Sequence, residues 1–237
     1  MSRKRLGILG GMGAQAGACL LQKVLDHTPA RVDQEHLDIL LYSNPGVPDR
    51  TRSILGTGES AEPELVRSVR LLEQSGVDCI IIACVTSHHY IENLRASVQP
   101  EILSIVEETA EFLSRECAGR TRAGLLATSG TVRAGFIQEE FRRRGLETLV
   151  PADADQEQLV MHAIYGEQGI KAGFLDEANR GLLARAAERL VAQGAEVLIA
   201  GCTEIPLVLE GEVRGAPVVD MMDALAEGAV AHCREGR

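Results

Sequence analysis

The sequence predicts an α/β fold of two pseudo-symmetric lobes, each a parallel sheet flanked by helices. Three observations carry this. An apolar run ending on a cysteine occurs twice, as GVDCIIIACVT at 76–86 and GAEVLIAGCTE at 194–204. Cys84 and Cys202 are 118 residues apart, and so are Gly76 and Gly194, and Asp78 and Glu196. A short strand that breaks at glycine also occurs twice: aligning Gly7 with Gly124 aligns Gly13 with Gly130, 117 residues on. Strand and helix patterns then alternate through both halves, the signature of parallel sheets crossed over by helices. A continuous apolar run bounded by Gly suits a strand buried on both faces. Each cysteine falls at the carboxyl end of its strand, where open α/β sheets place their chemistry.

Taken in order, 6–9 is predicted as the first strand, broken by Gly10-Gly11-Met12-Gly13 and followed by a helix over 14–25. A second strand, 37–42, stops at Ser43-Asn44-Pro45-Gly46, and a long loop rich in Pro and Gly runs to about Pro63. Long loops in compact domains are often functional. Leu65, Val69 and Leu72 at helical spacing lead into the first cysteine strand. Helix over 88–98, a short strand over 102–106 and a helix over 107–117 complete the first half. The second half restarts with a strand over 123–127, turning at Thr128-Ser129-Gly130. A helix (136–144), a strand (147–150) and helices over 156–165 and 179–193 precede the second cysteine strand. A short strand at 217–219 and a helix over 221–233 close the chain. The N-terminal lobe is expected over 1–116, completed by 208–237, with the C-terminal lobe over 117–207.

Composition bounds the function. The chain has 237 residues, 45% of them hydrophobic but only 3% aromatic and none Trp, so a core must be aliphatic. A formal charge of −10 argues against nucleic acid or an anionic membrane as partner. Six cysteines without dense spacing do not form a secreted disulfide framework. No apolar run approaches the roughly 20 residues of a spanning helix, and the N-terminus has no signal-like apolar core. These features lead to the expectation of a reduced, cytoplasmic protein.

Position in these elements selects the candidate residues. Gly11 to Ala16 fits the G-x-G-x-x-A form of a dinucleotide turn, but the second strand ends Tyr42-Ser43-Asn44 with no acid for a ribose. Main-chain N–H groups at Met12 and Gly13 and a helix N-terminus suit a small anion such as a carboxylate. Cys19, Cys79, Cys117 and Cys233 read as small hydrophobes inside elements. Cys84 and Cys202 stand at strand ends before hydroxyl residues. A redox pair lacks any C-x-x-C, and Cys79, Cys84 and His88 do not have a compact zinc spacing. His88 and His89 lie one turn after Cys84, near enough to favour its thiolate. Arg50 and Lys171, each between Pro or Gly residues, are the candidate cations.

Together these segments resemble the aspartate/glutamate racemase family, the aspartate racemase branch most closely. The likeness runs in order through GILGGMG (7–13), SNPGVPDRT (43–51), ACVTSH (83–88), YGEQGIKAG (165–173) and GCTEIPL (201–207). The resemblance implies two α/β lobes with the active site between them, one catalytic cysteine from each, and no cofactor, neither PLP nor metal. It implies a small acidic amino acid, aspartate first, as substrate, and a homodimer. Cys84 and Cys202 would be the two bases, exchanging the α-proton from opposite faces. Arg50 and Lys171 would hold substrate carboxylates, with Met12, Gly13, Asn44, Val85, Thr86, Thr203 and Glu204 as further substrate contacts. The family pattern has Asn directly after the first cysteine, where this chain has Val85, and Pro after GGMG, where it has Ala14. Two alternatives stand beside racemisation: a cysteine-dependent isomerase or decarboxylase of a dicarboxylic acid, and a non-catalytic bilobal metabolite-binding protein.

Overall fold

The structure, a computed structural model, describes residues 4–234. The chain opens with β1 (Arg5–Gly10), α1 (Ala14–His27), β2 (Asp38–Ser43), α2 (Arg50–Ile54) and α3 (Glu62–Gln74). Next come β3 (Cys79–Ile82), α4 (Ile91–Ser97), β4 (Glu101–Ile102) and α5 (Ile105–Glu116). The second run has β5 (Arg122–Ala127), α6 (Ser129–Ala134), α7 (Phe136–Arg143) and β6 (Glu147–Leu149). Two short segments, α8 (Asp153–Asp155) and α9 (His162–Tyr165), flank a π-helical stretch, Gln156–Met161. α10 (Glu177–Ala192), β7 (Val197–Gly201), β8 (Glu212–Val213), β9 (Ala216–Asp220) and α11 (Met221–Arg234) end the chain.

Two sheets result. The first has strand order β2-β1-β3-β4, and the second β6-β5-β7-β9-β8. All pairings are parallel except β8 with β9. The order of the first four strands is thus repeated, with β5 in the place of β1 and β7 in the place of β3. This is the α/β fold of two mainly parallel, helix-flanked sheets that the repeat predicts.

The chain divides into two compact units, one running through Glu108 and resuming at Met222, the other from Thr109 to Met221. This differs from the expected breaks at 116 and 208. β9 pairs in parallel with β7, with Leu198 opposite Val218, so residues after 208 remain in the second sheet. Only α11 returns to the first unit. Its buried residues Met222, Leu225, Ala226, Ala229 and Cys233 recur at helical spacing, a single apolar stripe.

In the first unit Leu9, Leu65, Leu72, Ile80, Ile82 and Leu94 form the core over one face of the sheet. In the second, Leu126, Val160, Leu183, Leu190 and Leu198 play the same part. Each such side chain contributes roughly 1.5–3 kcal/mol relative to exposure. The four residues of β3 and the five of β7 are all buried, as a continuous apolar run requires. Both cysteine strands are shorter than their apolar runs, because Ala83 and Cys84 lie beyond the last ladder residue Ile82 and Cys202 lies just beyond Gly201. Each thiol therefore sits on the turn that leaves its sheet. Both turns lead into a short 3-10 segment, Thr86–Tyr90 and Ile205–Leu207, rather than the start of a full helix.

Candidate active site

In the first unit, glycine chemistry brings two loops together. Gly11 has φ +96°, and a Cβ there would lie 2.3 Å from the main-chain carbon of Asn44. Only glycine permits this approach, which is fixed by the Asn44 N–H donating to the Gly10 carbonyl at 3.0 Å. Asn44 is itself fully engaged. Its amide donates to Glu64 Oε1 (2.7 Å) and Ser68 Oγ (2.9 Å), and its Oδ1 accepts from the Gly46 N–H at 2.9 Å. The side chain fixes the loop that leaves β2.

Arg50 opens α2, with Asp49 as N-cap accepting from the Arg52 N–H at 2.8 Å. Arg50 is 8% exposed, and its guanidinium donates to the carbonyls of Val47, Pro48 and Met12, each at 3.1 Å. Arg50 therefore ties its own loop to the glycine turn at Met12. That linkage places the predicted cation and the predicted anion-binding turn in one cluster.

Cys84 is 5% exposed, with buried Val85 and Thr86 beside it. Its carbonyl accepts from Ser87 Oγ at 2.7 Å and from His88 Nδ1 at 3.0 Å. The other ring nitrogen, Nε2, accepts from the Ile105 N–H at 3.2 Å. These partners assign the tautomer as Nδ1–H. Burial, opposed by the bond to the Cys84 carbonyl, pulls the His88 pKa down to about 4. His88 is thus neutral at pH 7 and braces the main chain of the thiol turn. The expectation that it favours a thiolate at Cys84 by charge is not met, because both ring nitrogens are taken up by the backbone.

The second unit builds its turn differently. A Cβ at Gly201 would lie 2.5 Å from a Leu125 methyl and 3.0 Å from the Ala127 Cβ, so β7 ends on glycine to let β5 approach. Cys202 comes next, 5% exposed. Its Sγ donates to Glu204 Oε2 at 3.0 Å, and Thr203 Oγ1 donates to the same oxygen at 2.9 Å. Lys171, from the 3-10 turn Ile170–Ala172, donates to Glu204 Oε1 at 2.7 Å. The Tyr165 ring lies against the same ammonium, which is 5.4 Å from the ring centroid.

The electrostatics of this cluster are coupled. Burial opposes ionisation of Glu204, but Lys171 and the hydrogen bonds from Cys202 and Thr203 outweigh it, and its pKa lies below the usual carboxylate value. Burial, and after it the Glu204 charge, pushes the Cys202 thiol well above its ordinary range, with Lys171 pulling the other way. At neutral pH this turn holds a thiol, a carboxylate and an ammonium. Such a turn can release a proton from sulfur and can offer one cation to an anion.

In the first unit the structure ties Arg50 to Met12 and Asn44 to the glycine turn, and packs Met12, Val47 and Cys84 into one apolar cluster, with Val85 and Thr86 next to Cys84 in the chain. It gathers Lys171, Cys202, Thr203 and Glu204 into one cluster of the second. Cys79 starts β3, while Cys84 lies past the other end of the strand. Among the described residues, no group of three or more His, Cys, Asp or Glu could hold a metal ion. No helix among them is long and apolar enough to cross a membrane. Tyr165, beside Lys171, lies in a quoted motif without being singled out, and buried Gln156 carries no sequence signal of its own: its amide donates to the Ala127 carbonyl at 2.9 Å at the tip of β5. A lone Gln in a helical segment resembles any solvated position, and only the fold shows it buried.

Known proteins share this arrangement of the chain. A model of the Asp/Glu/Hydantoin racemase family matches residues 9–229. The chain superposes on an aspartate racemase from Picrophilus torridus with a TM-score of 0.82 and 26% identity, covering 97% of this chain and 93% of that one. It is 37% identical over 143 residues to an uncharacterized protein in the pnlA 3' region of Pectobacterium carotovorum subsp. carotovorum, covering 60% of this chain and 91% of that protein. It is 27% identical over 148 residues to the broad specificity amino-acid racemase RacX of Bacillus subtilis (strain 168), covering 61% of this chain and 63% of that protein.

Proposed function

The chain belongs to the Asp/Glu/Hydantoin racemase family and is a racemase-type enzyme, and from that premise we propose that it racemises a small acidic amino acid, aspartate first, by two-base proton transfer. Cys84 and Cys202 are the two bases. The observation that carries this reading is the equivalent placing of the two thiols. Each stands just past the carboxyl tip of an inner strand at the same place in the repeated order, β3 in one sheet and β7 in the other. A racemase needs an acid/base group for each face of Cα, and a repeated thiol turn supplies one per unit.

In this mechanism one thiolate removes the α-proton and the opposite thiol returns a proton to the other face. The α-carboxylate must be held so that the developing negative charge at Cα is shared with it. Arg50 and Lys171 are the cations for the substrate carboxylates, an Arg fork being suited to a carboxylate by two parallel hydrogen bonds. Main-chain N–H groups near Met12 and Gly13 and the side chains of Thr86 and Thr203 complete the polar contacts. Asn44 and Glu204 keep the two turns in shape, and Val85 forms part of the wall beside Cys84. The enzyme works as a homodimer, which light scattering of the purified protein tests.

Membership of the family sets aside the non-catalytic alternative. Racemisation is separated from isomerisation or decarboxylation by incubating single enantiomers of aspartate and glutamate with the protein in deuterated water. Deuterium at Cα together with the opposite enantiomer is the expected result. Release of carbon dioxide, or no exchange with any acidic amino acid, would sink the proposal. A broader amino-acid range is the second reading, favoured by Val85: it is 2% exposed and offers no hydrogen bond to a substrate polar group.

A further inference from the structure

The two thiol turns share one repeat, yet their cysteines have different neighbours. Glu204 accepts from Cys202 Sγ at 3.0 Å, from Thr203 Oγ1 at 2.9 Å and from Lys171 Nζ at 2.7 Å. An ionised carboxylate can only accept, so the contact at sulfur requires an S–H. Cys202 is 5% exposed and Glu204 4% exposed, so a thiolate and a carboxylate would face each other with little water to screen them. The charged groups that act on Cys202 are Glu204, from its own turn, and Lys171, from the 3-10 turn Ile170–Ala172. Lys171 is drawn onto the far oxygen of Glu204 rather than onto the sulfur.

Resting on the reading of Cys84 and Cys202 as the acid/base pair, we propose that Glu204 is the positioning residue that keeps Cys202 protonated in the free enzyme. Cys202 then begins a turnover as the proton donor and Cys84 as the proton acceptor. In that turnover the Cα–H bond breaks and its proton goes to Cys84 Sγ. The S–H bond of Cys202 breaks and a new Cα–H bond forms on the opposite face. The enzyme is left with Cys84 as thiol and Cys202 as thiolate. Loss of one proton from Cys84 to solvent, and uptake of one by Cys202 by way of Glu204 Oε2, restores the starting form.

The test is the pH profile of kcat/KM for aspartate in the wild type, Glu204→Gln and Glu204→Asp. Activity needs one thiol and one thiolate, so the alkaline limb reports loss of the Cys202 proton. Glu204→Gln is expected to move that limb to lower pH by about one unit, while Glu204→Asp retains it near the wild-type position. A limb that stays in place while the maximum falls would make Glu204 merely structural and overturn the proposal. A second measurement needs no turnover: alkylation of Cys202 by iodoacetamide in a Cys84→Ser background, read by peptide mass mapping. Glu204→Gln should speed it about tenfold near neutral pH, because the thiolate is the reacting form. Lys171→Met should slow it, a sign that unfolding would not produce. Unchanged rates in both variants would overturn the proposal. Alkylation that behaves as expected in a protein that does not racemise aspartate would instead refute the substrate reading and leave the role of Glu204 standing.

Discussion

The turn after β3 and the turn after β7 hold equivalent cysteines by different means. After β3 the carbonyl of Cys84 is clamped by Ser87 and by a neutral, buried His88, and the next residue is apolar Val85. After β7 the sulfur itself is engaged, by the Glu204 carboxylate that Lys171 balances. One turn is braced through its main chain, and the other is charged around its side chain. A repeat can thus set where two reactive groups stand without setting what state they are in. Position comes from the strand and the turn that ends it, whereas protonation comes from the neighbours each unit packs against the turn.

Substitutions in the two turns should separate their roles. The largest effect is expected at the sulfurs: Cys84→Ser and Cys202→Ser should each lower turnover of aspartate by roughly 10³-fold or more, read by polarimetry or chiral chromatography. Retained activity in either variant would rule out two bases. Next, Lys171→Met should raise KM for aspartate by roughly tenfold to a hundredfold, since an ion-paired hydrogen bond is lost. An unchanged KM would free Lys171 from substrate binding.

The brace at Cys84 makes a prediction about stability. His88 has a folded pKa of about 4, below its unfolded value near 6.5, so the unfolded chain binds the proton more tightly. Its contribution is fully present above about pH 6.5 and is lost as pH falls toward 4, by at most roughly 1.4 kcal/mol per pH unit. Urea melts between pH 7 and pH 5 should therefore show a steeper loss in the wild type than in His88→Gln. Equal slopes would mean that His88 is charged in the fold. The smallest effect is expected at Val85, where Val85→Asn should raise kcat/KM for aspartate a few-fold if a substrate polar group lies beside it. A neutral outcome would make Val85 incidental to substrate choice.

Much of this is legible in the residues alone. The duplicated strands, the glycine breaks and the equivalent places of Cys84 and Cys202 after their strands are local patterns, and the strand orders of the two sheets track them closely. The glycine turn is readable as a tight approach, although only the fold shows that Asn44 is what approaches Gly11. The less legible features all involve partners distant in sequence. The β9 strand joins the second sheet by pairing with β7, which moves the division of the chain from 208 to 222. His88 reads as a charge beside a thiol, but the Ile105 N–H, 17 residues on, takes its second nitrogen. Arg50 reads as a candidate cation in a Pro- and Gly-rich loop, and only the fold shows that its guanidinium donates to three main-chain carbonyls.

The α/β architecture, its duplication, the two thiol positions and the family follow from the residues alone, because apolar period, glycine turns and motif order are properties of neighbouring residues. The charge state of the turn after β7 comes instead from tertiary contacts. A pKa is set by burial and by hydrogen-bond partners, and these arrive from elements as far apart as Lys171 and Glu204. The residue pattern GCTE says that an acid lies two residues past a cysteine. The fold says that this acid is ionised, held by a lysine, and accepting a hydrogen bond from the sulfur.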